Sequence, residues 1–153
     1  MRMDLPSYIT GFVDGEGCFS VSFSMRSKMN FGIEVRPSFS VSQNQRNLAI
    51  IRDLHRYFEC GAVRFSRRDQ NYKYESRNIT DLVTKIIPHF QRYPLLTSKK
   101  KDFDSFHAIC RMIRQNLHLN RDGLRQIIEL AYEMNESGKR KYSKQELLKH
   151  VAR

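Results

Sequence analysis

Apolar and polar residues along the chain follow two alternating periods, and the switches between them mark out the elements. Residues 6–15 open with Pro6 and Ser7 and place Tyr8, Ile9, Phe12 and Val13 at helical spacing, predicting a short helix that ends in glycines. From Glu16 to Lys28 the period drops to two. Phe19, Val21, Phe23 and Met25 fall on one parity, and Cys18, Ser20, Ser22, Ser24, Arg26 and Lys28 on the other, predicting a strand with one buried and one polar face. Beyond a turn at Met29 and Asn30, Ile33, Val35, Phe39 and Val41 alternate with Glu34, Arg36, Ser38, Ser40 and Ser42, so a second long strand is expected to pair with the first as a hairpin. Pro37 has no N–H to give to a ladder and predicts an edge position or a bulge.

Period 3.6 returns over 45–59, with Leu48, Ile51, Leu54 and Phe58 on one face and Gly61 as the stop. A shorter, basic hairpin is predicted over 62–68 and 71–77, turning near Asp69 and Gln70. Asn78 or Thr80 can cap a helix carrying Leu82, Ile86 and Ile87, which Pro88 is expected to kink or end. Phe103, Phe106, Cys110, Ile113 and Leu117 then form one apolar helical stripe, and Leu124, Ile127, Ala131 and Met134 another. Residues 138–142 read as a basic loop, and Ser143 with Glu146 as a capping box ahead of Leu147, Leu148 and Val151. The whole is an α+β pattern, expected as one domain over 1–153 with a core at about 5–118 and C-terminal helices at about 120–153.

Composition narrows the partner more than the chemistry. The 153 residues carry 27 Lys plus Arg against 16 Asp plus Glu, a formal net charge of +11, while 40% are hydrophobic. A folded chain with so large a basic excess points to a polyanion, most often nucleic acid and less often an anionic membrane surface. Cys18, Cys60 and Cys110 are an odd number far apart, with no zinc or disulfide spacing, and imply a reducing compartment. The five histidines are scattered without metal-ligand spacing and read as surface or packing residues. No apolar run approaches the roughly 20 residues of a membrane helix, and the N-terminus lacks signal-peptide features, so a soluble intracellular protein with no visible address is expected, in a host the sequence does not name.

The opening helix holds the candidate chemistry. It reads Tyr8-Ile9-Thr10-Gly11-Phe12-Val13-Asp14-Gly15-Glu16-Gly17. Gly11 and Gly15 are four apart on one face, flat enough for another helix to approach, although each glycine costs about 1 kcal/mol in a helix. Asp14 and Glu16 flank Gly15 where helix gives way to strand, and hard carboxylate oxygens there suit Mg²⁺ shared with phosphate oxygens.

Here the chain resembles the LAGLIDADG homing endonucleases, with Ile9–Gly17 standing for the motif and Pro94-Leu95-Leu96-Thr97-Ser98-Lys99-Lys100-Lys101-Asp102-Phe103 for the family's lysine-bearing segment. The resemblance covers roughly residues 5–107 and implies an αββαββα core with a saddle-shaped antiparallel sheet. It implies that Glu16, in place of the usual Asp, binds the divalent metal beside the Gly15 carbonyl. It further implies that Gln43 helps order the nucleophilic water and that Lys99 supports water activation or the pentavalent phosphate. Asn47 falls near a basic active-site position of some relatives, and Arg46 takes that place only if the register shifts by one.

Plainer readings stand beside these. Asp14 reads first as a capping residue, Gln43 without the family as an ordinary strand-end polar group, and Lys99 as one of a solvated lysine run. His107 and Cys110 read as core.

A two-stranded ribbon fits the major groove of B-DNA, where Arg bonds guanine and Ser, Glu or Gln read other edges. The first hairpin offers Ser20, Ser22, Ser24, Arg26, Lys28, Glu34, Arg36, Ser38 and Ser40. The second offers Arg64, Ser66, Arg68, Lys73, Glu75 and Arg77, and the late loop Lys139, Arg140 and Lys141. Because the LAGLIDADG family needs two motif helices and this chain carries one, the resemblance implies a homodimer through Ser7, Gly11, Asp14 and Gly15 that cuts a long pseudo-palindromic double-stranded site across the minor groove and leaves short 3′ overhangs. Mg²⁺ is the expected cofactor, with Mn²⁺ or Ca²⁺ able to substitute for binding. The alternatives are an intron maturase, with intron RNA as partner, and a DNA-binding regulator that does not cut.

Overall fold

A computed structural model describes residues 2–135 and 138–153. Its sheet has four strands in the order β1-β2-β4-β3, from β1 (Gly17–Met25), β2 (Ile33–Asn44), β3 (Ala62–Ser66) and β4 (Asn71–Ser76). Helix α1 (Leu5–Glu16) runs directly into β1, and α2 (Leu48–Phe58) follows β2. Short α3 (Ile79–Asp81) and α4 (Ile87–Arg92) are joined by a π turn, and α5 (Lys99–Arg114), α6 (Arg121–Tyr132) and α7 (Lys144–Ala152) complete the chain.

The chain divides into two compact units, one of residues 1–19 and 38–100, the other of 20–37 and 101–153. Both long strands of the first hairpin pass from one unit into the other, so the distal half of that hairpin is grouped with the later helices rather than with the first.

In the first unit the core is aromatic. Phe39 meets Phe19 at 5.1 Å, Phe90 at 5.6 Å and Phe58 at 5.8 Å between ring centroids, with Ile9, Val13, Ile51, Leu54 and Leu82 fully buried around them. In the second unit Phe23 stacks near Tyr132, and Ile109, Leu124, Ile127, Ile128, Ala131, Leu147 and Val151 are fully buried.

Alternation in β1 holds as the sequence predicts, buried at Phe19, Val21 and Phe23 and more open at Cys18, Ser20, Ser22 and Ser24. Met25, at the strand's last position, is exposed, and Lys28 lies beyond the strand in the turn. Pro37 sits in an inner strand, yet the β2–β4 pairing begins only at Phe39↔Ser76, so β4 asks nothing of Pro37.

Two departures have clear causes. Pro88 does not end its helix, because Leu82–Ile86 forms a π turn in which the Ile87 amide bonds back to the Leu82 carbonyl. That widened turn carries the chain past the proline ring, which in a regular helix meets the carbonyl four residues earlier. The stripe ending at Leu117 is interrupted, since α5 stops at Arg114 and Asn116 turns left-handed at φ 60°. Asn78 caps the third helical run through the Asp81 amide, and the Ser143–Glu146 capping box forms in both directions.

Candidate active site and nucleic-acid interface

Glu16 closes α1 and is exposed, one residue before β1 begins. Lys99 opens α5 and reaches back to the same helix end, its Nζ donating to the Val13 carbonyl at 3.0 Å. A cation there also meets the negative end of the α1 dipole. Gln43 lies near the end of β2, where its Oε1 accepts from the Asn47 side-chain Nδ2 at 3.0 Å, leaving the Gln43 NH₂ as the remaining donor. Phe19 against Phe39 shows how this hairpin is registered, so the end of β2 lies at the same sheet end as the α1–β1 junction. Asn47 is thus a partner of Gln43, and Arg46 is drawn into the turn through its own amide, which donates to Asn44.

Asp14, expected at a dimer contact and read first as a capping residue, is engaged by its own chain. Its carboxylate accepts the Leu96 amide at 2.8 Å, the Thr97 amide at 3.1 Å and the Thr97 hydroxyl. Burial works to raise its pKa, but those three donors and the nearby Lys99 charge outweigh it and hold the group below its ordinary value. Gly11 and Gly15, by contrast, have open space where a Cβ would project, and Ser7, bonded to Asp4, is exposed.

The residues the sequence did not offer are Thr10, Tyr57, His89 and Thr97. Thr10 gives its single hydroxyl hydrogen to the Tyr93 carbonyl at 2.9 Å, so in its 3.0 Å contact with His89 Nε2 it can only accept. His89 therefore carries its proton on Nε2, and the Tyr57 hydroxyl donates to Nδ1 at 2.9 Å. Burial depresses this imidazole to about 4. Its scattered position in sequence gave no signal, because its partners are 32 and 79 residues away.

The polar sheet face is organised around two carboxylates, one in each unit. In the second unit Glu34 accepts from Ser24 at 3.0 Å and pairs with Arg26 at 2.9 Å and Arg36 at 3.8 Å. In the first, Glu75 accepts from Ser38 at 2.8 Å and pairs with Lys73 at 3.2 Å and Arg77 at 3.5 Å. Burial would raise the Glu75 pKa, but the Ser38 hydroxyl and the two cations hold it below the ordinary range. Register places Ser40 beside Glu75, and Ser42, Lys73 and Arg64 in one cross-strand row, which fixes the facing of the second hairpin. Ser66 opposes Asn71.

Four expected contacts need correction. Ser38 and Ser40 are buried, at 8% and 9% exposure, and the Ser38 hydroxyl is already engaged, so neither stands out as a reading side chain. Arg140 is turned inward. Its guanidinium donates to the Val21 carbonyl at 2.8 Å and to the Ala131 carbonyl, and lies 4.4 Å over the Tyr132 ring. Arg68 lies in the β3–β4 turn, off the strand face. Lys139 and Lys141 are exposed.

The Neurospora crassa "Probable intron-encoded endonuclease 2" is 31% identical over 131 residues, 85% of this chain but only 29% of that protein, so the chain spans less than a third of that relative. "Homing endonuclease I-ApeII" of Aeropyrum pernix is 26% identical, over 96% of this chain and 90% of its own. Among solved structures, the homing endonuclease I-TnaI superimposes with a TM-score of 0.84 at 34% identity, covering 99% of this chain and 98% of its own. The archaeal intron-encoded homing endonuclease I-Vdi141I, solved in complex with DNA, gives 0.89 at 28% identity, over 97% and 94%. The sequence profile of the LAGLIDADG endonucleases matches residues 9–110, spanning the glycine-bearing helix, both hairpins and the Lys99 segment, and the chain belongs to that family.

Proposed function

We propose that the chain is one half of a homodimeric, site-specific double-strand DNA endonuclease that hydrolyses phosphodiester bonds with a divalent metal. The observation that carries this reading is the meeting of Lys99 with the end of α1, at which Glu16 offers an exposed carboxylate. The relatives named for endonuclease activity, and the neighbour solved with DNA, support the same substrate.

Among the described residues no three His, Cys, Asp or Glu side chains cluster to hold an ion by themselves. One exposed carboxylate and a backbone carbonyl are hard oxygen donors that leave most of an ion's shell to water and phosphate, which fits Mg²⁺ and not a closed zinc site. Glu16 and the Gly15 carbonyl would hold it. When bound, such an ion neutralises phosphate charge and lowers the pKa of the attacking water. Lys99 stabilises the negative charge that grows on the phosphate, and the Gln43 NH₂ donates to a water or phosphate oxygen to fix its direction. Open Gly11 and Gly15 would let α1 meet its copy, bringing one Glu16 to each strand of the duplex. Ser20, Ser22, Ser24, Arg26, Arg36, Arg64, Ser66, Lys73 and Arg77 are the side chains proposed to face DNA, with Glu34 and Glu75 orienting the cations.

The test is cleavage of a plasmid library carrying randomised pseudo-palindromic sites, with Mg²⁺ present. Recovery of one family of cut sites supports the reading. Tight binding to selected duplexes without cutting would replace it with the regulator, and preference for structured RNA with the maturase.

A further inference from the structure

Lys99 has four rotatable side-chain bonds, and freezing them costs about 2 kcal/mol of entropy, so an ammonium held at one point needs a fixed base. The structure supplies that base from α1. Thr10 and Asp14 are four residues apart, on one helix face, and they grip the two ends of the segment from Tyr93 to Thr97. Between the grips Leu95 is buried.

At the far end Thr97 does three things. It donates its hydroxyl to Asp14, its Oγ1 accepts the Lys99 amide at 3.2 Å, and its carbonyl accepts the Lys100 amide at 3.0 Å. Asp14 therefore orients the residue that caps α5 at its first turn. The Lys99 side chain then returns to Val13, the neighbour of Asp14, at 3.0 Å. Val13, Asp14, Thr97 and Lys99 close a ring of contacts across 86 residues of chain. Both Asp14 oxygens are occupied by donors of its own chain, so direct ligation of a metal would first have to break that ring.

We propose that Asp14, acting through Thr97, is the positioning residue for Lys99. The proposal rests on the reading that Lys99 acts at the scissile phosphate, and the two can fail separately.

The first measurement needs no substrate. Folded protein is acylated briefly with acetic anhydride, and modification of Lys99 is quantified by mass spectrometry against Lys28 and Lys149. Labelling of Lys99 should rise several-fold in Asp14→Asn and in Thr97→Val, while Thr97→Ser restores the wild-type level. Unchanged Lys99 labelling in both variants, with melting temperatures showing them folded, overturns the proposal. The second measurement is cleavage of a selected target. The cleavage rate should fall about ten- to a hundredfold in Asp14→Asn, as for a misplaced catalytic group, with duplex affinity in Ca²⁺ and the half-saturating Mg²⁺ concentration unchanged. A raised Mg²⁺ requirement would make Asp14 a ligand and overturn the positioning role. Raised labelling with an undiminished cleavage rate would remove Lys99 from the chemistry, and the positioning role with it.

Discussion

Glu16 can be neutralised with almost no change of shape, which makes it the sharpest residue to change. Glu16→Gln should keep the fold and the duplex affinity, tightening binding when metal is absent because negative charge near the phosphates is gone, while cleavage nearly vanishes. A gel-shift titration beside a nicking assay checks both halves, and near wild-type cutting under saturating Mg²⁺ would contradict the assignment. Lys99→Met should slow cleavage by about 10²–10³, the loss typical of one transition-state donor, with metal binding intact. His89 makes a prediction of a different kind. Its folded pKa near 4 lies below the usual 6.5, so below 6.5 the unfolded chain takes up a proton that the folded chain refuses. Its contribution is complete above about pH 6.5 and is lost as pH falls toward 4, worth about 3 kcal/mol over that window. Denaturant unfolding at pH 7 and pH 4.5 should show His89→Gln losing less stability on acidification than wild type; equal losses would be incompatible with a neutral buried imidazole. Glu16 and Lys99 could be proposed from sequence because short motifs carry them, and Gln43 only through the family resemblance. Thr10, His89 and Thr97 could not, since each acts through a partner 79 to 83 residues away and no local spacing encodes such a meeting.

Elements were more legible than residues. Period two holds through β1, where one face is buried and a one-residue slip would expose its phenylalanines, whereas in β2 burial runs unbroken from Pro37 to Val41 because Ser38 and Ser40 are covered as well. The capping box at Ser143 formed as its spacing requires. What escaped was compensation. Pro88 is absorbed by a π turn that depends on the packing of Leu82 and Ile86, and no propensity scale anticipates that. Arg140 escaped for the converse reason, because a basic loop reads as solvated until its partners, two strand and helix carbonyls and a tyrosine ring, are seen together. Burial also works against its charge, lowering its pKa. Arg140→Ala should accordingly cost about 2–3 kcal/mol of stability from two lost charge-assisted hydrogen bonds, and Arg140→Lys should not restore it because an ammonium cannot fork to both carbonyls. Duplex affinity, measured well below the melting temperature, should barely change; a large loss of affinity at full stability would return Arg140 to the DNA contacts.

For the whole molecule, the +11 charge predicts a steep fall of duplex affinity with salt, and a flat plot of log K against log salt would leave phosphate contact without support. Gly11→Leu should fill the open face of α1 and yield monomers by sedimentation velocity, whereas an unchanged dimer would move the interface elsewhere. The two glutamates of the sheet carry a longer-range implication. Each holds two cations of its own hairpin, so Arg26 and Arg36 share Glu34, and Lys73 and Arg77 share Glu75. Substitutions within such a trio should be non-additive in binding by about 0.5–1 kcal/mol or more. If the polar sheet face reads DNA as proposed, target preference would change in blocks, one hairpin at a time, and stepwise single replacements would pass through variants in which an orphaned glutamate repels the bound duplex.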